Sequence, residues 1–204
     1  MNSNTDIDWN KKYSGKEYLF GTAPNNFLAS QVGLLQKGQR CLDVGGGDGR
    51  NSVWLAEQGL EVLSIDQSDV ALDKATALAE ARRVSITTQA VDLFKWNWLQ
   101  AAYDVVVSMH VHFESAQREI INRLMLDALV PGGLLIFEAF HPDQIANNTG
   151  GPSDVDYLVD AAILKNAFPS CSFLHLSEDT VHLPTRPHKP EGPAVVTRAV
   201  IRKP

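Results

Sequence analysis

Two cysteines, no long apolar run and no cluster of basic residues stand out first in this 204-residue chain, and each shortage removes a class of protein. Cys41 and Cys171 form no Cys-x-x-Cys pair, and both fall in or near strand-like apolar runs, so they read as reduced packing residues rather than a disulfide framework or redox pair. No uninterrupted apolar stretch approaches the roughly 20 residues of a membrane-spanning helix, so no membrane association is expected. Met1 to Lys12 is polar and lacks the apolar core of a secretion signal, which makes a cytoplasmic location the expectation. Twenty-four Asp and Glu outweigh 18 Lys and Arg, giving a net charge of −6 with no Lys/Arg-rich run to neutralise phosphates, so no nucleic-acid partner is expected. Repeats, linkers and a second domain are also missing from the pattern. His110-Val111-His112 is a metal half-site in form, but no companion Cys or carboxylate has ligand spacing, so no metal is expected.

What is present is an acidic glycine turn. The run Cys41-Leu42-Asp43-Val44-Gly45-Gly46-Gly47-Asp48-Gly49 joins a short apolar strand to a helix. Glycines there remove the Cβ atoms that would hold a ligand off and permit the positive φ angles of a tight turn, so the backbone can line a nucleoside pocket. A dinucleotide fingerprint, G-x-G-x-x-G, would put Arg50 at its third glycine when counted from Gly45. The spacing D-x-G-x-G-x-G instead brings Asp43, Gly45, Gly47 and Gly49 into register. The next apolar strand, Leu60 to Ile65, ends at Asp66, whose carboxylate can accept from both ribose hydroxyls. That acid suits NAD equally well, and only the glycine register separates the two cofactor classes.

The remainder alternates strand and helix. Asn51 to Gln58 reads as a helix stopped by Gly59, and Ser68 caps a second helix whose Val70, Leu72, Ala75, Leu78 and Ala79 recur at helical spacing to Arg83. Strands are expected at Ser85 to Val91, at Tyr103 to Met109 and at Leu134 to Phe140. The helix Glu114 to Leu129 precedes the last of these, with Pro131-Gly132-Gly133 as the break between them. Beyond His141 a turn-rich insertion spans Asn147 to Ser153 and a helix is expected over Tyr157 to Phe168. Strands Ser172 to Ser177 and Ala194 to Ile201 can then pair antiparallel across the loop Pro184 to Pro193. The expectation is a Rossmann-like α/β fold: a seven-stranded, mostly parallel sheet with helices on both faces and an antiparallel last strand. The whole, residues 1–204, reads as a single domain: an N-terminal lid segment (1–38), a cofactor-binding core (39–140) and a substrate-side part (141–204).

The D-x-G-x-G-x-G register resembles motif I of the class I S-adenosylmethionine-dependent methyltransferases. Asp43 to Trp54, Gly59, Asp66, Asp92-Leu93, Tyr103 to Met109, Pro131-Gly132-Gly133 and Glu138-Ala139-Phe140 extend the likeness to small bacterial methyltransferases of the tellurite-resistance type. Those are similar in turn to thiopurine and other thiol methyltransferases. Trp9-Asn10, Tyr13, Tyr18, Phe20-Gly21 and Pro24-Asn25 resemble the family's leading segment, which lies over cofactor and substrate. Gly46 departs from the pattern, since a cysteine is commoner between those glycines; the change should leave binding intact. The resemblance implies S-adenosylmethionine as cofactor, S-adenosylhomocysteine as product, and cofactor contacts from Asp43, Gly45, Gly46, Gly47, Asp66, Gln67, Asp92, Leu93 and Met109. Within that set Asp92 would meet the adenine amino group and Leu93 offer a backbone N–H to the ring.

In an open α/β sheet ligands bind beyond the carboxyl ends of strands, which directs attention to His110 and His112 as candidate catalytic residues and to His141 as a substrate-side one. An imidazole there can take a proton from a substrate thiol or orient it. Methyl transfer needs mainly in-line positioning, so a thiol or related soft nucleophile (S, Se, Te) of a small molecule is the acceptor most compatible with a site lacking an obvious base. The residues after the fourth strand, Ser108 to Val111, lack the proline-aromatic signature of base amino-methylation, and neither cysteine sits in a Pro-Cys pair. Trp9, Tyr13, Tyr18 and Phe20 can form an aromatic lid facing a sulfonium. Arg186, His188 and Lys189 in the Pro184 to Pro193 loop can gate the site or read an anionic group. A cofactor-binding sensor or accessory protein without turnover, and an NAD-binding oxidoreductase, remain as alternatives.

Overall fold

The computed structural model describes residues 7–185 and 189–204 and contains seven strands and six α-helices in α/β order. The chain divides into two compact units, Met1–Trp96 and Asn97–Pro204. In the first, helices α1 (Trp9–Tyr13) and α2 (Asn26–Ser30) precede β1 (Arg40–Val44), α3 (Arg50–Glu57), β2 (Glu61–Asp66), α4 (Asp69–Arg82) and β3 (Thr87–Ala90). β1 and β2 run parallel from Arg40↔Glu61 to Val44↔Ile65, and β2 pairs parallel with β3 from Leu63↔Thr87 to Asp66↔Ala90. α4 forms where its pattern predicts: the Ser68 hydroxyl accepts from the Ala71 amide at 3.1 Å, Ala71, Leu72, Ala75, Leu78 and Ala79 are buried, and Arg83 closes the helix in the left-handed region.

The second unit holds β4 (Tyr103–Met109), α5 (Ser115–Ala128), β5 (Leu129–Phe140), α6 (Ala161–Ala167), β6 (Ser172–Leu183) and β7 (Gly192–Arg202). β4 and β5 are parallel, while β7 runs antiparallel to both β5 and β6. The strand order is β3-β2-β1-β4-β5-β7-β6, the seven-stranded, mostly parallel sheet with an antiparallel last strand expected from the pattern. Valines 105, 106 and 107 of β4 are fully buried, as a β-branched run without alternation requires.

Three boundaries differ from the sequence reading, each for a local reason. Pro131-Gly132-Gly133 does not separate helix from strand. β5 begins at Leu129, and a register shift between Tyr103↔Leu129 and Val105↔Leu134 absorbs the turn residues, with the Gly132 amide donating to the Lys203 carbonyl at 3.1 Å. The helix expected over Tyr157 to Phe168 starts only at Ala161. The Val159 amide donates to the Phe140 carbonyl, and the Thr197 hydroxyl donates to the Val159 carbonyl at 2.6 Å, which draws the preceding backbone out of helix. Asp160 then caps α6 by accepting from the Ile163 amide at 2.7 Å. β6 runs six residues past the expected end at Ser177, through Glu178, Asp179 and Thr180, because this strand pairs on one side only and tolerates polar residues.

Candidate functional site

In the first unit, the glycine turn is bent by one acceptor. The Gly45 and Gly46 amides both donate to the Ile65 carbonyl, at 2.8 and 3.1 Å, which curls the chain after β1 over the end of β2. Gly47 sits at φ +55°, and a Cβ there would lie 2.6 Å from the Tyr13 hydroxyl oxygen. Gly46 faces inward, where a Cβ would lie 2.1 Å from Ser64 Oγ. The Ser52 hydroxyl donates to Asp43 Oδ2 at 2.6 Å and lies 2.9 Å from Ser64 Oγ, so a buried hydroxyl-carboxylate network fills the space a larger residue at 46 would need.

Three carboxylates surround this turn, and burial raises the pKa of each. Asp43, 1% exposed, is pushed up to about 7 by burial, against the lowering effect of the Ser52 bond. Asp48 is raised by burial although it accepts from the Leu19 amide at 2.7 Å. Asp66 is raised by burial although Oδ2 accepts from the Gly47 amide and Oδ1 from the Ser68 amide, both at 2.9 Å. Its carboxylate therefore ties the glycine turn to the start of α4. The compensating bonds named here come from backbone amides and a hydroxyl. The region is thus strongly acidic and disfavours additional negative charge.

The N-terminal segment lies on this turn. Tyr13 is 5% exposed, and burial followed by Asp66 and Asp48 pushes its phenol upward, so the hydroxyl remains protonated. Trp9 stacks on Tyr13 with ring centroids 5.8 Å apart, and the Ser68 hydroxyl donates to Asn10 Oδ1 at 2.6 Å. Tyr18 packs against the cluster Val53, Leu78 and Ala79, and its hydroxyl donates to the Lys74 carbonyl at 3.3 Å. Phe20 is more exposed, with the Arg50 guanidinium 5.7 Å from its ring centroid. Of the four aromatic residues expected as a lid, Tyr13 meets the glycine turn itself, while Tyr18 is anchored in the apolar core beneath α4.

In the second unit, β4 ends at Met109, 7% exposed, and His110 follows with φ +59°. His110 is gripped at two points by one residue of β5: its amide donates to the Glu138 carbonyl at 2.7 Å, and its Nε2 lies 2.8 Å from Glu138 Oε1. Glu138 is buried and its other oxygen accepts from Arg198 Nε at 2.7 Å; Arg198 Nη1 then reaches Asp179 Oδ2 at 3.3 Å. His112 turns the other way, with Nδ1 3.3 Å from the Tyr157 carbonyl. Burial, and then the neighbouring His110, push the His112 imidazole down to about 3, so it is neutral at ordinary pH. The two imidazoles lie 6.1 Å apart by ring centroid, and Phe140 packs against both, its centroid 4.5 Å from that of His110 and 5.6 Å from that of His112. His110 Nδ1 and His112 Nε2 are enclosed and have no hydrogen-bond partner among the described residues.

The other expected residues have plainer surroundings. Gln67 is exposed beside Asp66. Asp92 is exposed, pairs with Lys95 Nζ at 3.0 Å and accepts from the Phe94 amide; those bonds hold its carboxyl below the usual range, with Leu93 half-buried alongside. His141 caps the short 3-10 helix Pro142–Ala146, accepting at Nδ1 from the Asp143 amide at 3.1 Å, with Nε2 3.5 Å from Glu178 Oε1. Arg186 and His188 lie outside the described residues, and the Lys189 ammonium donates to Asn148 Oδ1 at 2.8 Å.

Sequence reasoning passed over Asp48, the Ser52–Ser64 pair and the Glu138–Arg198–Asp179 chain as chemical groups. An acid inside the apolar run Leu134 to Phe140 was the available signal for Glu138, since a buried carboxylate needs partners. Its partner Arg198 lies sixty residues along the chain on β7, with Asp179 beyond it on β6, and no spacing rule reaches them.

Residues 41–133 match a family model described as a methyltransferase domain. Among curated proteins, the ubiquinone biosynthesis O-methyltransferase of Coxiella burnetii is 30% identical over 126 residues, 61% of this chain and 52% of that protein. The tRNA 5-carboxymethoxyuridine methyltransferase of Escherichia coli K12 is 26% identical over 122 residues, 58% of this chain and 47% of its own length. The chain therefore spans about half the length of the curated relatives it matches. Among solved structures, TehB from Haemophilus influenzae superposes with a TM-score of 0.75 at 21% identity, covering 96% of this chain and 66% of that one. No helix among the described residues is long and apolar enough to cross a membrane. With its acidic glycine turn, its strand order and these matches, the chain is similar to methyltransferases and carries a methyltransferase-like domain over residues 41–133.

Proposed function

We propose that this protein transfers a methyl group from S-adenosylmethionine to a heteroatom nucleophile of a small molecule. The observation that carries this reading is the acidity of the glycine turn. Asp43, Asp48 and Asp66 all have raised pKa values around the turn, which Tyr13 covers at Gly47. S-adenosylmethionine brings a sulfonium and an ammonium to such a place, whereas the pyrophosphate of NAD would add negative charge to it. The residues fit the cofactor in a second respect: Asp66 stands at the end of β2 with its carboxylate already bonded to the Gly47 amide, where a ribose can be read. Asp43 is turned inward to Ser52, so its contribution to a bound cation is a field from behind the turn rather than a direct contact.

When bound, S-adenosylmethionine supplies an electrophilic methyl group on a sulfonium. The protein's own part is to bind, orient and deprotonate. Tyr13 covers Gly47 and keeps water from the turn. His110, immediately after β4, is the residue we assign to accept the proton of the acceptor's S–H or O–H at Nδ1, while His112, held neutral, donates its Nδ1–H to the Tyr157 carbonyl and serves as a packing partner rather than as the base. Gln67, Asp92, Leu93 and Met109 are assigned to the cofactor, and Trp9, Tyr18, Phe20 and His141 to the lid and substrate side. Arg186 and His188 are retained as candidates for reading an anionic substrate group.

A thiol is the acceptor that asks least of the protein. The His110–Glu138 contact favours a second reading as well, because a carboxylate-supported imidazole can also serve a phenol or other hydroxyl, and the Coxiella burnetii relative bears the name of an O-methyltransferase. The net charge of −6 supports a small acceptor over a nucleic acid, although one relative is named for a tRNA substrate. Calorimetric titration with S-adenosylhomocysteine, with NAD in parallel, tests the cofactor: binding of the first alone is expected, and binding of neither or of NAD alone would remove the reading. Release of S-adenosylhomocysteine with dithiothreitol and with catechol then ranks the acceptors and separates an enzyme from a sensor. His110→Ala should lower turnover by about 10²- to 10⁴-fold while cofactor affinity stays constant.

A further inference from the structure

We propose that Glu138 is a positioning residue for His110, fixing its imidazole as the Nε2–H tautomer so that Nδ1 carries the lone pair that receives the acceptor's proton. The proposal rests on the reading of His110 as the proton acceptor. An ionised carboxylate accepts hydrogen bonds and cannot donate them, so the 2.8 Å contact from Glu138 Oε1 places the imidazole hydrogen on Nε2. Nδ1 is then bare, and it has no partner among the described residues. The same glutamate also takes the His110 amide on its backbone carbonyl at 2.7 Å, next to a residue at φ +59°, a conformation uncommon outside glycine. One residue thus meets both the backbone amide and the ring of His110. Phe140, two residues along β5, closes one side of the ring with centroids 4.5 Å apart.

The support extends outward across two strand pairings. Glu138 pairs in register with Arg198 on β7, and Arg198 with Ser177 on β6. Arg198 Nε donates to Glu138 Oε2 at 2.7 Å and Arg198 Nη1 to Asp179 Oδ2 at 3.3 Å, while the Ser177 hydroxyl donates to the same Asp179 oxygen at 2.6 Å. Each carboxylate oxygen of Glu138 therefore has a separate task, one toward the guanidinium and one toward the imidazole. Because the chain runs from a half-exposed aspartate to a buried glutamate, it can be weakened from its outer end without opening the core.

The test is long-range 1H–15N NMR of the full chain, reading the ring nitrogens of His110, followed by turnover with dithiothreitol and catechol. In the wild type, a protonated Nε2 and a bare Nδ1 are expected. Glu138→Gln should yield a mixture of tautomers, lower kcat by about 10- to 100-fold, and leave KM and S-adenosylhomocysteine affinity within about twofold. Asp179→Asn, which spares the buried pair, should give a smaller loss of kcat in the same direction and serves if Glu138→Gln fails to fold. A bare Nε2 in the wild type, an unchanged His110 tautomer in both variants, or unchanged kcat beside a scrambled tautomer would each overturn the proposal. Full turnover by His110→Ala would instead remove the reading beneath it, which the wild-type tautomer measurement does not touch.

Discussion

The glycine turn and the end of β4 both bury carboxylates, yet they compensate them in different ways. Around the turn, Asp43, Asp48 and Asp66 are held by hydroxyl and amide donors, and burial dominates, so all three are raised. After β4, Glu138 is held by a guanidinium and an imidazole, with Asp179 beyond. A buried anion in direct contact with a cationic partner is a finished structural unit, whereas buried acids bonded to amides and a hydroxyl, with Arg50 and Lys74 acting on Asp48 by charge alone, retain an appetite for positive charge. The contrast supports the division of labour proposed above: the first region receives a cationic cofactor, and the second holds a histidine in one orientation.

Four substitutions probe that contrast, beginning with the largest expected effect. Arg198→Met strips the guanidinium from Glu138 and should cost about 3–5 kcal/mol in a denaturant melt, because it leaves a buried charge short of its partner. An effect under about 1 kcal/mol would mean that Glu138 does not depend on it. Gly46→Cys should cost about 1–3 kcal/mol by driving a Cβ onto Ser64 Oγ, and Ser64→Ala in the same chain should restore part of it. Failure of that rescue would show that the hydroxyl network is not what bars a larger residue at this position. Asp66→Ala should weaken S-adenosylhomocysteine binding by more than about 1 kcal/mol, measured by calorimetry, through the loss of charge-assisted hydrogen bonds.

The smallest effect is a slope. Asp43 is raised to about 7 in the folded chain from an ordinary 3.8, so between those values the folded state binds more protons than the unfolded one, and this group's contribution to stability declines as pH rises. His112 is lowered to about 3 from 6.5, so the unfolded state binds more protons in that range, and its contribution grows as pH rises. From about pH 4 to 6.5 the two oppose one another. Asp43→Asn should therefore make stability climb more steeply with pH over that interval, as read from thermal melts at several pH values. An unaltered slope would mean that Asp43 is not held protonated by the fold.

Much of the fold was legible because its signals are local. The β-branched run of β4, the Ser68 cap and the Gly59 stop each act within a few residues, and β4 spans Tyr103–Met109 as read. The antiparallel last strand was also expected, and β7 runs that way against both neighbours. Errors collected where distant hydrogen bonds override local pattern: Thr197 and Phe140 pull Val159 out of the expected helix, and a bulge carries β5 through Pro131-Gly132-Gly133. In the candidate site the same rule holds. Asp66 and the glycines announce themselves by spacing, and the structure ties them together through the Gly47 amide. His110 shows no partner in the sequence, because the Glu138 carboxylate reaches it only across a strand pairing.

By itself, the sequence determined the strand-helix alternation and the acidic glycine register that carries the resemblance to methyltransferases, because periodicity, turn chemistry and motif spacing are properties of neighbouring residues. Only the tertiary structure decided that Asp43 faces inward to Ser52, that His112 is held neutral, and that His110 is clamped by Glu138. Those outcomes depend on burial and on donors brought together from separate strands, and desolvation is a property of the packed chain that no local run of residues encodes.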